Sequence, residues 1–114
     1  MLEGYGGDFD KLNDKNLIKK FLSGLPNEIN MTKISDVLIS DYKAEDENES
    51  GISGVVLLAE SHISIHTYPK KQFAVADVFS CNEFESKKVI DLMKTKFNFE
   101  KVKDRLVVRE YEKN

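Results

Sequence analysis

The sequence predicts an α+β fold, a two-layer sandwich with an antiparallel sheet and two helices packed on one face. Two observations lead to this prediction. Three apolar, β-branched stretches follow one another with short connections, and a stretch of helical periodicity lies on each side of them. The 114 residues are enough for one hydrophobic core and too few for two, so we expect a single domain, 1–114.

The first helix is predicted within residues 13–30, after a short apolar and glycine-bearing start at residues 2–7. Asn13 or Asp14 is the expected N-cap, and the helix is expected to end near Gly24 to Pro26. Its apolar positions recur at helical spacing and are Leu17, Ile18, Phe21, Leu22 and Leu25.

A strand and then a loop are predicted to follow this helix. The run 34–42 is rich in Val, Leu and Ile, which is typical of a strand. Residues 44–50 are acidic and lack apolar periodicity, so we expect a solvated, mobile connection there. The alternative function for this acidic loop is attraction of a cationic substrate or polyamine.

The central part of the chain predicts an antiparallel meander of three strands, at 52–59, 62–68 and 73–80. A residue or two around Glu60 separates the first two strands, and the connection 69–72 is short enough for a second hairpin.

The C-terminal part predicts a helix over 85–97, capped near Asn82 or Ser86, and a closing strand over 102–111. Two helices cover one face of the sheet and leave the other bare. Because the strands are so apolar, we expect the bare face to be covered by the same face of a second copy, which makes the protein a homodimer.

The composition excludes several classes of function. The formal net charge is -3 and the lysines are scattered, which argues against general nucleic-acid binding. No apolar run approaches the length of a membrane span, and the first residues do not resemble an export signal, so a cytoplasmic protein is expected. One cysteine and two histidines give no zinc-site spacing, and no metal is expected.

Paired positions in an antiparallel hairpin can be found by counting outward from its turn. A second turn centred near residues 70 and 71 places Ser61 opposite residue 80 or 81, and therefore beside Cys81. A first turn centred near Glu60 places Ser53 opposite residues 66 to 68, and therefore near His66.

The meander should therefore gather Ser53, Ser61, His66 and Cys81 toward one region. However, the odd spacing of Ser61 and His66 would put them on opposite faces of a straight strand. We expect this conflict to be relieved by Ser61 lying in the bent turn, where strained backbone is also expected.

Three stretches carry a resemblance to a known family. They are Gly51-Ile52-Ser53-Gly54, then Glu60-Ser61-His62-Ile63-Ser64-Ile65-His66-Thr67-Tyr68-Pro69, then Asp77-Val78-Phe79-Ser80-Cys81. Together they resemble the prokaryotic S-adenosylmethionine decarboxylases, which are pyruvoyl-dependent and made as proenzymes. The resemblance covers roughly residues 51–82, and the start of the chain matches some members more loosely.

The resemblance implies self-cleavage between Glu60 and Ser61, giving fragments 1–60 and 61–114. Ser61 would attack the preceding carbonyl and become the pyruvoyl group that starts the second fragment. His66 would act as acid or base in this processing, and Ser53 would assist from across the hairpin.

The resemblance also implies that the pyruvoyl group forms a Schiff base with the substrate amine, so that neither a metal nor pyridoxal phosphate is needed. Cys81 would donate a proton to the substrate carbon after carbon dioxide leaves. The product, decarboxylated S-adenosylmethionine, would serve spermidine biosynthesis. His62 is interpreted as a structural strand histidine.

Substrate-binding residues are less specified. Tyr68 lies on the same strand face as His66 and is a candidate to stack on adenine or attract the sulfonium, and Glu3 is a further candidate. The family's second stacking aromatic is absent from the acidic loop, so Tyr42, Tyr5 or Phe9 would have to replace it. Two alternatives remain open, a pyruvoyl-dependent arginine or ornithine decarboxylase and a non-catalytic homologue.

Overall fold

A computed structural model of the protein describes residues 1–81 and 83–109. Its helices are α1 (Phe9–Leu12), α2 (Lys15–Glu28) and α3 (Ser86–Phe97). Its strands are β1 (Leu2–Tyr5), β2 (Leu38–Tyr42), β3 (Gly51–Leu58), β4 (Ser61–Tyr68), β5 (Phe73–Phe79) and β6 (Lys101–Asp104). Short 3₁₀ turns lie at Glu47–Glu49 and Pro69–Lys71.

Within the described residues, the six strands form one antiparallel sheet in the order β2-β3-β4-β5-β1-β6. Alternate residues of the central strands are buried, and these alone meet the helices. The two-layer α+β sandwich is therefore confirmed. The buried positions include Ile52, Val56 and Leu58 of β3, Ile63 and Ile65 of β4, and Ala74 and Ala76 of β5.

The helices supply the other half of this core. Ile18 and Leu22 of α2 and Met93 and Phe97 of α3 are fully buried, as the helical spacing predicts. One buried polar group, Thr67 of β4, ties the layers together, because its hydroxyl donates to the carbonyl of Leu12 at 2.8 Å and accepts from the amide of Ile52 at 3.2 Å.

The boundaries of the helices differ from the prediction in three places. Asp14 caps α2 as expected, but the helix continues through Pro26 to Glu28, so the predicted end was too early. Helix α3 starts from Glu85 without a side-chain capping bond, so a Ser86 cap was wrong, and Asn82 lies outside the described residues. The short helix α1 was missed, because one turn shows no periodicity.

Two strand predictions were also incomplete. The predicted strand 34–42 is regular only from Leu38, because the preceding residues shift register along β3. The last strand ends at Asp104 instead of 111, because the pairing of Asp104 with Leu2 of β1 is the last of the regular ladder. The last two predicted positions of that strand lie outside the described residues.

Candidate active site

The turn between β3 and β4 carries the predicted cleavage position. Leu58 pairs with Ser61, so the loop consists of Ala59 and Glu60 alone, and Ser61 is the first residue of β4. Ser61 therefore lies in the strand and not in the turn, contrary to the sequence expectation. It shares the helix-facing side with Leu58 and Ile63, which are almost fully buried, while its own side chain is half-buried.

Glu60 adopts a left-handed backbone conformation, with φ of 63°. For a residue with a Cβ atom this conformation costs about 1–2 kcal/mol. Two-residue hairpins usually place positive φ at the first loop residue or at both, whereas Ala59 does not have it. The expected strain is thus present, and it lies at the residue whose carbonyl would be attacked.

Cys81 contacts both residues of the candidate scissile bond. Its thiol donates a hydrogen bond to the carbonyl oxygen of Glu60 at 2.9 Å, and its backbone amide donates to the Ser61 hydroxyl oxygen at 3.3 Å. The register of β4 and β5 accounts for this placement, because His62 pairs with Phe79 and the next residues bring Cys81 beside the turn. The predicted proximity of Ser61 and Cys81 is confirmed.

Ser53 and His66 form a second pair, also as the register predicts. They are directly opposite in β3 and β4, and the Ser53 hydroxyl lies 2.7 Å from Nδ1 of His66. Within the described residues Nε2 of this imidazole makes no hydrogen bond, so it is available to a group outside the chain. Gly54, the neighbour of Ser53, packs closely on α2, since a Cβ there would lie 2.5 Å from Cδ1 of Leu22 and would force that buried side chain to shift.

The structure does not gather the two pairs into one cluster. Ser61 and His66 are five residues apart on a regular strand, which corresponds to about 17 Å at roughly 3.3 Å per residue. They also lie on opposite faces, because the buried residues alternate with His66. The prediction of a single four-residue cluster within one chain was therefore wrong, and the conflict in spacing is real.

The open face of the sheet places the remaining candidates near His66. Tyr68 stacks on Phe73, with ring centroids 5.9 Å apart, and the Lys71 amine lies 5.6 Å from its ring. Glu3 pairs with Val75, which is also the partner of His66, so about 10 Å separates Glu3 from the histidine at two strand spacings.

A surface pocket of about 310 Å³ lies beside the Ser53–His66 pair. Tyr42 and Tyr68 both line it. Of the three aromatics that could replace the missing stacking residue, Tyr42 is thus the one brought to this pocket. Tyr5 instead packs on Phe73 at 5.1 Å and donates a hydrogen bond to Glu3, which raises the pKa of the tyrosine.

Two carboxylates of the acidic loop, those of Glu47 and Glu49, form ion pairs with lysines of the second turn. Glu47 pairs with Lys70 at 2.8 Å, and Glu49 pairs with Lys71. The hydrogen bond from Lys70 lowers the pKa of Glu47, and the bond to Glu49 raises the pKa of Lys71. The sequence analysis did not predict these contacts, because Lys70 lies 23 positions after Glu47 and nothing in the local sequence indicates that the two residues pair.

Among the described residues, no cluster of His, Cys, Asp and Glu could hold a metal ion, and no helix is long and apolar enough to cross a membrane. The residues at the turn between β3 and β4 include the groups that formation of a pyruvoyl group from the chain itself would need. The Ser61 hydroxyl is next to a carbonyl that already accepts a hydrogen bond from a thiol.

A family model described as S-adenosylmethionine decarboxylase matches residues 1–110. Curated relatives named S-adenosylmethionine decarboxylase proenzyme include one from Sulfurihydrogenibium, 36% identical over an alignment of 109 residues that covers 91% of this chain and 77% of the relative. A relative of the same name from Aquifex aeolicus is 44% identical over 79 residues, which are 69% of this chain and 54% of the relative.

A relative of the same name from Clostridium botulinum is 29% identical over 110 residues, covering 96% of this chain and 90% of the relative. Among solved structures, the adenosylmethionine decarboxylase from Aquifex aeolicus is similar to this chain with a TM-score of 0.66 and 34% identity. That similarity covers 99% of this chain and 92% of the crystallised one.

Proposed function

The chain belongs to the S-adenosylmethionine decarboxylase family, and we propose that it is a precursor that cuts itself between Glu60 and Ser61 and then decarboxylates S-adenosylmethionine. The fragments are 1–60 and 61–114. The observation that carries this proposal is the double contact of Cys81, whose thiol reaches the carbonyl of Glu60 while its amide reaches the hydroxyl of Ser61.

Cleavage begins when the Ser61 hydroxyl oxygen attacks the carbonyl carbon of Glu60. The C–N bond breaks, the nitrogen takes up a proton, and the peptide becomes an ester. Loss of the Ser61 α-proton then breaks the Cβ–O bond, which leaves Glu60 as a terminal carboxylate and residue 61 as dehydroalanine. Water replaces the nitrogen of dehydroalanine, ammonia leaves, and the second fragment begins with a ketone.

Cys81 supports the first of these steps. Negative charge develops on the carbonyl oxygen of Glu60 during the attack, and a hydrogen bond already directed at that oxygen lowers the barrier. The thiol occupies this position in the uncut chain, at 2.9 Å. The strained conformation of Glu60 raises the energy of the peptide before the attack and acts in the same direction.

His66 and Ser53 act on this turn from a second copy of the chain. The His66 of the same chain is about 17 Å away along β4, too far to transfer a proton to Ser61. It is exposed on the open face, where large apolar side chains are also exposed: Leu38 by 70%, Tyr42 by 63% and Leu57 by 50%. Pairing of two open faces covers this apolar surface. In the resulting homodimer, the turn of each copy lies beside Ser53 and His66 of the other copy.

The terminal ketone supplies the electron sink for the bond that breaks when carbon dioxide leaves. The chain's own residues do the rest. Cys81 remains beside residue 61 and donates the proton to the substrate carbon. Tyr42 and Tyr68 line the pocket next to His66, which in the paired dimer faces residue 61 of the second copy, and they offer ring faces to the adenine and the sulfonium bound there. Glu3 adds a negative charge on the same face.

We place this reaction in the cytoplasm, where the single thiol stays reduced, and in the supply of the aminopropyl donor for spermidine. The direct test is release of carbon dioxide from carboxyl-labelled S-adenosylmethionine by purified, cleaved protein, with arginine and ornithine assayed in parallel. Turnover of S-adenosylmethionine alone supports the proposal. If only arginine or ornithine is decarboxylated, the pyruvoyl chemistry stands but the proposed substrate is wrong. If none of the three is decarboxylated, the protein is a non-catalytic homologue.

The action of the partner's His66 is tested by mixing two inactive chains. The Ser61→Ala chain keeps His66, and the His66→Ala chain keeps Ser61. When they are produced together, we expect only the His66→Ala chain to be cut, because its turn faces the intact imidazole of the partner. If neither chain is cut in verified mixed dimers, the histidine acts within its own chain; if the His66→Ala chain is cut when produced alone, the histidine has no part in cleavage.

A further inference from the structure

An edge segment, residues 32–35, runs beside the outgoing end of β3 and stops at the candidate cleavage turn. It precedes β2 but does not continue its register. Leu38 is opposite Val55, whereas Lys33 is opposite Leu58, so two extra residues are accommodated between the two pairings. Such bulges occur preferentially at sheet edges and next to active sites, where they redirect a side chain.

The side chain that this bulge redirects is that of Ser35. Its hydroxyl accepts a hydrogen bond from the amide of Leu57 at 2.9 Å, where a regular strand would offer a backbone carbonyl. The amide of Ile34 donates to the carbonyl of Leu57 at 2.9 Å, and the amide of Ala59 donates to the carbonyl of Thr32 at 2.9 Å. Both polar groups of Leu57 and the amide of Ala59 are therefore bound on the side away from β4.

These three contacts fix the chain directly before Glu60. A non-glycine residue in the left-handed region persists only when its surroundings determine the backbone on both sides. On the C-terminal side, the pairing of β4 with β3 and β5 and the contacts of Cys81 supply that constraint. On the N-terminal side, the edge segment extends the constraint from Leu57 to Ala59, one residue short of the attacked carbonyl.

We propose that the edge segment is a positioning element for self-cleavage, with Ser35 as its side-chain contact. This inference rests on the proposed function. The segment holds the Glu60 carbonyl where the Ser61 oxygen and the Cys81 thiol reach it, and it touches neither reacting atom. Its effect is confined to cleavage, because the Glu60–Ser61 peptide no longer exists in the mature protein.

Two matched pairs of variants test this role. Ser35→Ala removes the acceptor for the Leu57 amide, and Ser35→Thr keeps a hydroxyl there. Ile34→Pro removes the amide that binds the Leu57 carbonyl, and Ile34→Ala keeps it while shortening a side chain that is 62% exposed. The rate of appearance of the two fragments is followed by denaturing mass spectrometry, at a temperature where each variant is shown to be folded.

We expect cleavage to be about ten-fold slower in Ser35→Ala and Ile34→Pro, the size of one lost hydrogen bond, and near the wild-type rate in Ser35→Thr and Ile34→Ala. Decarboxylation per mole of terminal ketone should be unchanged in all four. Equal rates for Ser35→Ala and wild type would overturn the positioning role while leaving the proposed function intact. A wild-type chain that never cuts itself would overturn both the positioning role and the proposed function. A loss of decarboxylation per mole of ketone in the variants would overturn the positioning role by showing a general structural effect.

Discussion

The two hairpins of the meander differ in the groups around their turns although both turns share an unusual backbone. Glu60 and Gln72 both have positive φ, 63° and 53°, and each directly precedes a strand. At the second turn the Gln72 carbonyl accepts a hydrogen bond from the Gly7 amide at 3.0 Å, and the next residue is Phe73, which has no nucleophile. At the first turn the carbonyl meets a thiol and the next residue is a serine.

A left-handed residue is therefore common to both turns and does not distinguish the proposed cleavage site. Gln72 is stabilised by its surroundings, since its side-chain amide also donates to the Gly7 carbonyl at 3.0 Å. At Glu60, the Cys81 thiol donates a hydrogen bond to the carbonyl oxygen, and the next residue, Ser61, carries a hydroxyl group. The proposed cleavage therefore needs both groups in addition to the strained backbone.

The largest expected effect is that of Ser61→Ala, which removes the nucleophile. We expect a single unbroken chain and no terminal ketone, measured by intact mass and by labelling with a hydrazine. Ser64→Ala, on the same strand but on the open face, is the control and should be cut as usual. Phe73→Ser supplies a serine at the second turn, where we expect no cut; a cut after Gln72 would mean that strain and a hydroxyl suffice.

Cys81→Ala should have the next largest effect and should act on both steps. Loss of the thiol at the Glu60 carbonyl is expected to slow cleavage about ten-fold, as for a weak oxyanion donor. In the chains that do mature, decarboxylation should fall about a hundred-fold or more, because the proton donor is gone. Cleavage at the normal rate would show that the contact of 2.9 Å has no part in processing.

Much of this arrangement could be predicted from the sequence, and the failures have physical reasons. The apolar alternation gave three strands close to their observed bounds, and counting from the turns gave the Ser61–Cys81 and Ser53–His66 neighbours. Counting identifies opposite residues, but the five positions from Ser61 to His66 also amount to about 17 Å on a regular strand, and the expected bend at Ser61 set this distance aside. For that reason the two pairs were wrongly merged into one cluster.

Other features have no local sequence signal. The left-handed Glu60 occupies a place where glycine or asparagine would be expected, so nothing in the sequence marks its conformation. Strand β1 is four residues long with a glycine inside, and it forms because β5 and β6 pair with it on both sides. The position of the edge segment likewise depends on its pairing with β3 and is not indicated by the hydrophobic pattern of residues 32–35.

A smaller effect should come from relieving the strain itself. Glu60→Gly removes the Cβ atom that disfavours positive φ, so we expect cleavage to slow about five-fold, corresponding to about 1 kcal/mol. Gln72→Gly makes the same change at the second turn and should leave cleavage at the wild-type rate. Equal slowing by both would point to a general loss of rigidity rather than to local strain.

The smallest effect concerns the ion pairs that hold the second turn. The pKa of Glu47 is lowered by Lys70, so the stabilisation it gives is present above the ordinary carboxyl pKa and is lost as the pH falls through the lowered value. We expect Glu47→Gln to unfold at a slightly lower temperature than wild type at pH 7, with the difference shrinking as the pH falls below the ordinary carboxyl pKa. Cleavage should not change, because the first turn lacks this ion pair.

The most direct test of self-cleavage at Glu60 is the mass of the C-terminal fragment from freshly made wild-type protein. We expect the fragment 61–114 to be lighter by one ammonia than a fragment beginning with serine, and to react with a hydrazine. A fragment that begins with an intact serine would show that the bond is cut by hydrolysis and not by elimination. A single chain of full mass would show that Ser61 does not attack its neighbour, and either result would contradict the proposed function.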